Sequence, residues 1–170
     1  MKKIIIILAL LLFPVVAFAQ TFSVSSKTYG HTNSVVVICE WEADGLGAVS
    51  FDIDNTTETE DSGPIDLTVA LLGKYCGEAF TVPAIAPDAP TADYDITVMD
   101  GYILSIFGTA LADRSATATE STAPQFVTPD GNIYGGRILR SAAGADFETY
   151  SITITNAGAG GKGIFGLVFR

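Results

Sequence analysis

Few side chains in this 170-residue chain can do chemistry: one His, two Cys and 19 carboxylates, against nine Lys and Arg. The densest group is acidic, with Asp52, Asp54, Glu58, Glu60 and Asp61 close together in sequence. Calcium is a hard cation that takes roughly six to eight oxygen ligands, so Asp52, Asp54 and Glu58 are the candidate metal ligands, with calcium the one candidate cofactor. The segment lacks the glycine and the closing glutamate of an EF-hand loop. The preferred reading is a solvated hairpin tip, whose charge blocks edge-to-edge strand pairing. Asn55-Thr56-Thr57 is a formal glycosylation sequon.

Phe51-Asp52-Ile53-Asp54-Asn55-Thr56 also resembles the nucleophile loop of haloacid-dehalogenase-type phosphatases. That resemblance would make Asp52 a nucleophile and Asp54 a general acid beside a magnesium ion. Such chemistry needs a parallel sheet with crossover helices, which the remaining sequence does not supply. Nucleophilic catalysis by a Ser/His/Asp set would require His31, which sits in the turn Gly30-His31-Thr32-Asn33. No Gly-x-Ser-x-Gly elbow and no phosphate-cradling loop opens a helix. Gly158, Gly160, Gly161 and Gly163 precede a strand instead, where they suit a bend or a close backbone approach. No catalytic residues are assigned, and the chain is read as a non-enzyme.

Residues 1–19 carry Lys2 and Lys3, an apolar run from Ile4 and the small-x-small site Ala17-Phe18-Ala19, the pattern of a cleavable secretory signal peptide. The apolar run is shorter than the ~20 residues that span a bilayer, so no stable membrane span is expected after cleavage. An exported chain meets an oxidising compartment, where Cys39 and Cys76 are expected to pair as a disulfide. In the chain-entropy model that closure would contribute on the order of 4 kcal/mol. Neither cysteine belongs to a CxxC pair, so zinc and thiol catalysis lack partners. Losing two lysines leaves an acidic chain, which disfavours nucleic acid because polyanion affinity comes from Lys and Arg.

The rest of the chain, residues 20–170, reads as one domain long enough to bury its own core. Period-two alternation recurs and helical periodicity is nearly absent. Tyr150, Ile152 and Ile154 alternate with Ser151, Thr153 and Thr155, and Tyr94, Ile96 and Val98 alternate with Asp95, Thr97 and Met99. Residues 34–42 place Val35, Val37, Cys39 and Trp41 on one face, with Glu40 and Glu42 towards water. Further strands are expected at 47–54, 65–72, 78–83, 101–107, 123–128, 133–141 and 162–169, and only 110–120 suits a short helix or a loop. Pro83, Pro87 and Pro90 make 83–92 a stiff connector, and Pro129-Asp130-Gly131 marks a turn. Residues 40–100 hold 14 acids against Lys74 alone, while 101–170 hold five acids and five bases. That asymmetry suggests head-to-tail packing of subunits, beside the plainer reading of a solvated acidic surface.

Ala89-Pro90-Thr91-Ala92-Asp93-Tyr94-Asp95-Ile96-Thr97-Val98-Met99-Asp100-Gly101, the segment Leu111 to Thr117 and the terminal Ile154 to Gly163 resemble small all-β proteins encoded among the structural genes of tailed bacteriophages. Trp41 to Gly45 and Gly47 to Ser50 fit the same pattern. The resemblance implies a non-catalytic virion or assembly component, and a virion location, with no functional residues to carry across.

The sequence is thus expected to fold as a single antiparallel β-sandwich of about eight to ten strands, jelly-roll or immunoglobulin-like. The expected function is that of a structural protein that packs with copies of itself or with other structural or surface proteins. The alternative is an exported adhesin-like or carbohydrate-binding module that uses loop Tyr or Trp residues, with calcium as its candidate cofactor.

Overall fold

The computed structural model describes residues 20–30, 33–53, 58–59, 63–64, 74–99, 105–127, 133–135, 138–139 and 150–170, those at 58–64, 126–127 and 133–139 by backbone alone. The expected signal peptide, His31, the sequon at Asn55, the strand at 65–72 and the turn at Pro129 lie outside the described residues. Strands follow in the order β1 (Thr21–Tyr29), β2 (Ser34–Glu42), β3 (Val49–Ile53), β4 (Glu58–Thr59), β5 (Gly63–Pro64), β6 (Tyr75–Pro83) and β7 (Asp95–Met99). They continue with β8 (Glu120–Thr122), β9 (Gln125–Val127), β10 (Ile133–Gly135), β11 (Ile138–Leu139), β12 (Tyr150–Thr155) and β13 (Lys162–Phe169). Among the described residues there is no helix, and 110–119 forms turns and bends.

Two antiparallel sheets carry the chain. The larger runs β1-β2-β13-β6-β11, with β8 also pairing with β6, and the smaller runs β3-β12-β7. The C-terminal strand is therefore central: β13 pairs with β2 along one side and with β6 along the other. Its backbone is paired along both edges, and its core-facing side chains Phe165, Leu167 and Phe169 are buried. The connections β2 to β3, β6 to β7 and β12 to β13 each pass from one sheet to the other. The proline-rich connector is one of these crossings.

Side-chain alternation fills a single core. Val35, Val37, Cys39 and Trp41 of β2 are buried with Phe165, Leu167 and Phe169 of β13. Val49, Phe51 and Ile53 of β3, Ile96 and Val98 of β7, and Tyr150, Ile152 and Ile154 of β12 are buried from the smaller sheet. Ring contacts join the two sets: Tyr150 to Phe169 at 6.4 Å between centroids, and Phe22 to Phe51 stacked at 4.9 Å. The register of β6 shifts opposite Val168 and Phe169, with Gly77 as the extra residue. Cys76 and Ala79 are consequently both buried despite their odd spacing.

The stretch expected as a strand at 101–107 is irregular where it is described. From Ser105 to Arg114 the chain instead runs beside β7, with Ile106 N–H donating to Val98 C=O at 3.0 Å and Ile96 N–H to Leu111 C=O at 3.0 Å. Ile106, Phe107 and Leu111 are buried there. This covers an edge that would otherwise offer free backbone groups. The same segment continues into β8 and so joins the β7 edge of one sheet to the β6 edge of the other.

Candidate docking surface

The expected disulfide is corrected by the sheet order. Cys39 lies opposite Phe165 and Cys76 opposite Phe169, on the two strands that flank β13. Strands roughly 4.8 Å apart and a rise of roughly 3.3 Å per residue place the two α-carbons far beyond the ~7 Å that a bridge tolerates. Both are free, buried thiols. Burial pushes the Cys39 thiol far up, and pushes Cys76 up to about 12 against an opposing backbone hydrogen bond at Glu78. They act as small apolar core residues.

Of the candidate calcium ligands, Asp52 is exposed on the outward side of β3, where its carboxylate accepts a hydrogen bond from the Ser151 hydroxyl across the β3–β12 pair. The side chains of Asp54 and Glu58 lie outside the described residues. Among the described residues no group of three or more His, Cys, Asp or Glu gathers as metal ligands do. The strand carrying Asp52 has an antiparallel neighbour, unlike the parallel sheet a phosphatase nucleophile loop requires.

The acidic and the charge-balanced halves of the chain do not form separate faces, because β12 and β13 pair with strands from the acidic half. Three described bases are engaged internally: Lys162 with Glu42 at 3.5 Å, Arg170 with Glu78 at 2.9 Å and Arg114 with Glu120 at 3.2 Å.

A different surface stands out at the end of the fold where three loops converge. In the first, the Asp44 carboxylate accepts the N–H groups of Leu46 at 2.8 Å and Ala48 at 3.0 Å. These bonds, Ala48 first and Leu46 second, hold Asp44 below the usual carboxylate range. The middle loop, 156–161, ties the others together: Gly160 N–H donates to Asp44 C=O, Ala157 N–H to Gly47 C=O, and Thr91 N–H to Ala157 C=O. The third loop, 84–91, is closed by Ala84 N–H to Lys162 C=O and Lys162 N–H to Asp88 C=O. Backbones meet closely enough that a β-carbon on Gly47 would stand 2.7 Å from Gly158 N, and both glycines have positive φ, +80° and +78°. The short Gly158–Gly163 run is thus a close-approach device.

These braced turns present Leu46, 92% exposed, and Ile85, 88% exposed, to solvent. Single surface aliphatics are ordinary, but these two are held on neighbouring turns at one end of the molecule. Burying each against a partner would contribute about 1.5–3 kcal/mol. Sequence reasoning missed both. Their signal is a lone large aliphatic inside turn-forming residues, Gly45-Leu46-Gly47 and Ala84-Ile85-Ala86-Pro87, where alternation has stopped and no core position remains.

On the outward face of the larger sheet, a cleft of about 440 Å³ is lined by residues including Thr21, Ser23, Glu40, Val82, Lys162 and Ile164. Its floor is a cross-strand row, Ser23-Glu40-Ile164-Val82. Comparison with protein-family models, with curated proteins and with solved structures found no match to the chain.

Proposed function

We propose that this chain is a non-catalytic structural protein, a jelly-roll β-sandwich subunit that assembles with copies of itself through the three-loop end. The strand order supports the topology. β2-β13-β6-β8 in one layer, with β3-β12-β7 and the 105–114 segment in the other, follows the pattern of two interleaved Greek keys. Jelly rolls build capsid and lectin domains, and since a fold alone does not fix a role, the surface must decide between them.

The observation that carries the assembly reading is the pair Leu46 and Ile85. Rigid turns that hold large aliphatics in water lose little conformational entropy on docking, so the apolar gain goes into association. The resemblance of the Ala89–Gly101 and Ile154–Gly163 segments to phage structural proteins supports the same role, and the Met1–Ala19 segment supports export of the chain. Sedimentation velocity over a concentration series tests the reading: discrete larger species support it, and a monomer throughout removes it.

The outer-face cleft supports a second reading, an exported carbohydrate-binding module. Thr21, Ser23 and Glu40 offer hydroxyl and carboxylate groups to sugar hydroxyls there. Ligand-dependent melting across a panel of oligosaccharides tests it.

A further inference from the structure

The 105–122 segment covers a buried cluster rich in hydrogen-bond donors. Trp41, 3% exposed, sits on the core side of β2, and its indole lies so close to β13 that a β-carbon on Gly163 would stand 2.8 Å from Trp41 Cζ2. Its ring packs against Tyr94 at 5.6 Å between centroids. Tyr94 pairs across an isolated bridge with Arg114, and Thr81, fully buried on β6, pairs with Glu120 on β8. Directly opposed residues project to the same face, so Tyr94, Arg114, Thr81 and Glu120 converge under this segment.

Four atoms in the cluster are buried without a protein hydrogen-bond partner: Trp41 Nε1, Thr81 Oγ1, and Nε and Nη1 of Arg114. Arg114 Nε lies 3.2 Å from Glu120 Oε2, near enough for a charge pair but not aligned for a hydrogen bond. That oxygen already accepts the Ser115 N–H at 2.8 Å. The Thr81 hydroxyl lies beside the Tyr94 phenol, again without good alignment. Burial holds the Tyr94 phenol protonated, so it adds another O–H. Indole and guanidinium nitrogens only donate, and the hydroxyls of Thr81 and Tyr94 can donate as well. Buried polar groups in folded proteins are almost always satisfied. A water can accept two of these hydrogen bonds but must also place two O–H groups of its own, whereas a compact anion accepts on every side and answers the Arg114 charge.

We propose that Trp41, Thr81, Tyr94 and Arg114 form an interior site for a small oxyanion or carboxylate, closed over by the 105–122 segment. Arg114 supplies the charge and the fork geometry, Trp41 and Thr81 fix the anion's position, and Glu120 competes with it for Arg114. The site is independent of the assembly surface.

Trp41 is the chain's single tryptophan, so intrinsic fluorescence reads this site directly. The secreted chain would be titrated with sulfate, phosphate, nitrate and acetate at constant ionic strength, with chloride as the control. At least one of these should give a saturable change in emission, weakened tenfold or more in Arg114→Gln and strengthened in Glu120→Gln. Should Arg114→Gln fail to fold, Trp41→Phe, read by anion-dependent melting, removes one donor and should weaken the response. No saturable response beyond chloride overturns the proposal, as does a response that Arg114→Gln and Trp41→Phe leave unchanged.

Discussion

The carboxylate of Asp44 accepts the main-chain N–H of Leu46 at 2.8 Å, so the side chain that fixes this turn also fixes the most exposed large hydrophobic side chain of the described residues. The bond from Ala48 N–H first, and this one second, favour the charged form and lower the folded-state pKa of Asp44. A lowered carboxylate pKa contributes stability that is fully present above the unfolded value, about 3.9 for Asp, and is lost as pH falls through the folded value. Amide exchange at Leu46 and Ala48 should therefore stay slow from neutral pH down to the usual carboxylate range and lose protection below it. Asp44→Ala should show that loss at neutral pH. Equal protection in the variant would contradict the turn's dependence on Asp44.

Trp41→Ala should destabilise the chain by roughly 3–5 kcal/mol, the cost of removing a large buried aromatic. Gly163→Ala should destabilise it too, because the new β-carbon meets the indole. Urea unfolding measures both. A near-neutral Trp41→Ala would take Trp41 out of the core.

The cysteines should behave as two separate thiols. Alkylation in denaturant without reductant should add two groups to the intact mass, while the native protein should resist alkylation, since burial and a raised pKa suppress the thiolate. Melting should not change with reductant. A mass showing blocked thiols would contradict the sheet order that separates Cys39 from Cys76.

Much of the fold was legible where one face is buried and the other wet. The bounds of β2 and β13 were read from sequence, and so were the buried faces Val35-Val37-Cys39-Trp41 and Tyr150-Ile152-Ile154. β1 was not, because as an edge strand it buries only Val24. Ile106 and Phe107 read as strand residues from composition, yet both are buried side by side, which breaks the period. The disulfide failed for a non-local reason: β13, from the far end of the chain, inserts between the strands of Cys39 and Cys76. Leu46 and Ile85 escaped notice because loops have no period to read, and only their exposure reveals them.

Sedimentation velocity comparing the chain from residue 20 onward with its Leu46→Ser/Ile85→Ser variant tests the central claim most directly. The parent chain should form discrete larger species as concentration rises, while the variant stays monomeric with unchanged melting. Equal assembly by both proteins, or a parent chain that stays monomeric throughout, would contradict assembly through the three-loop end.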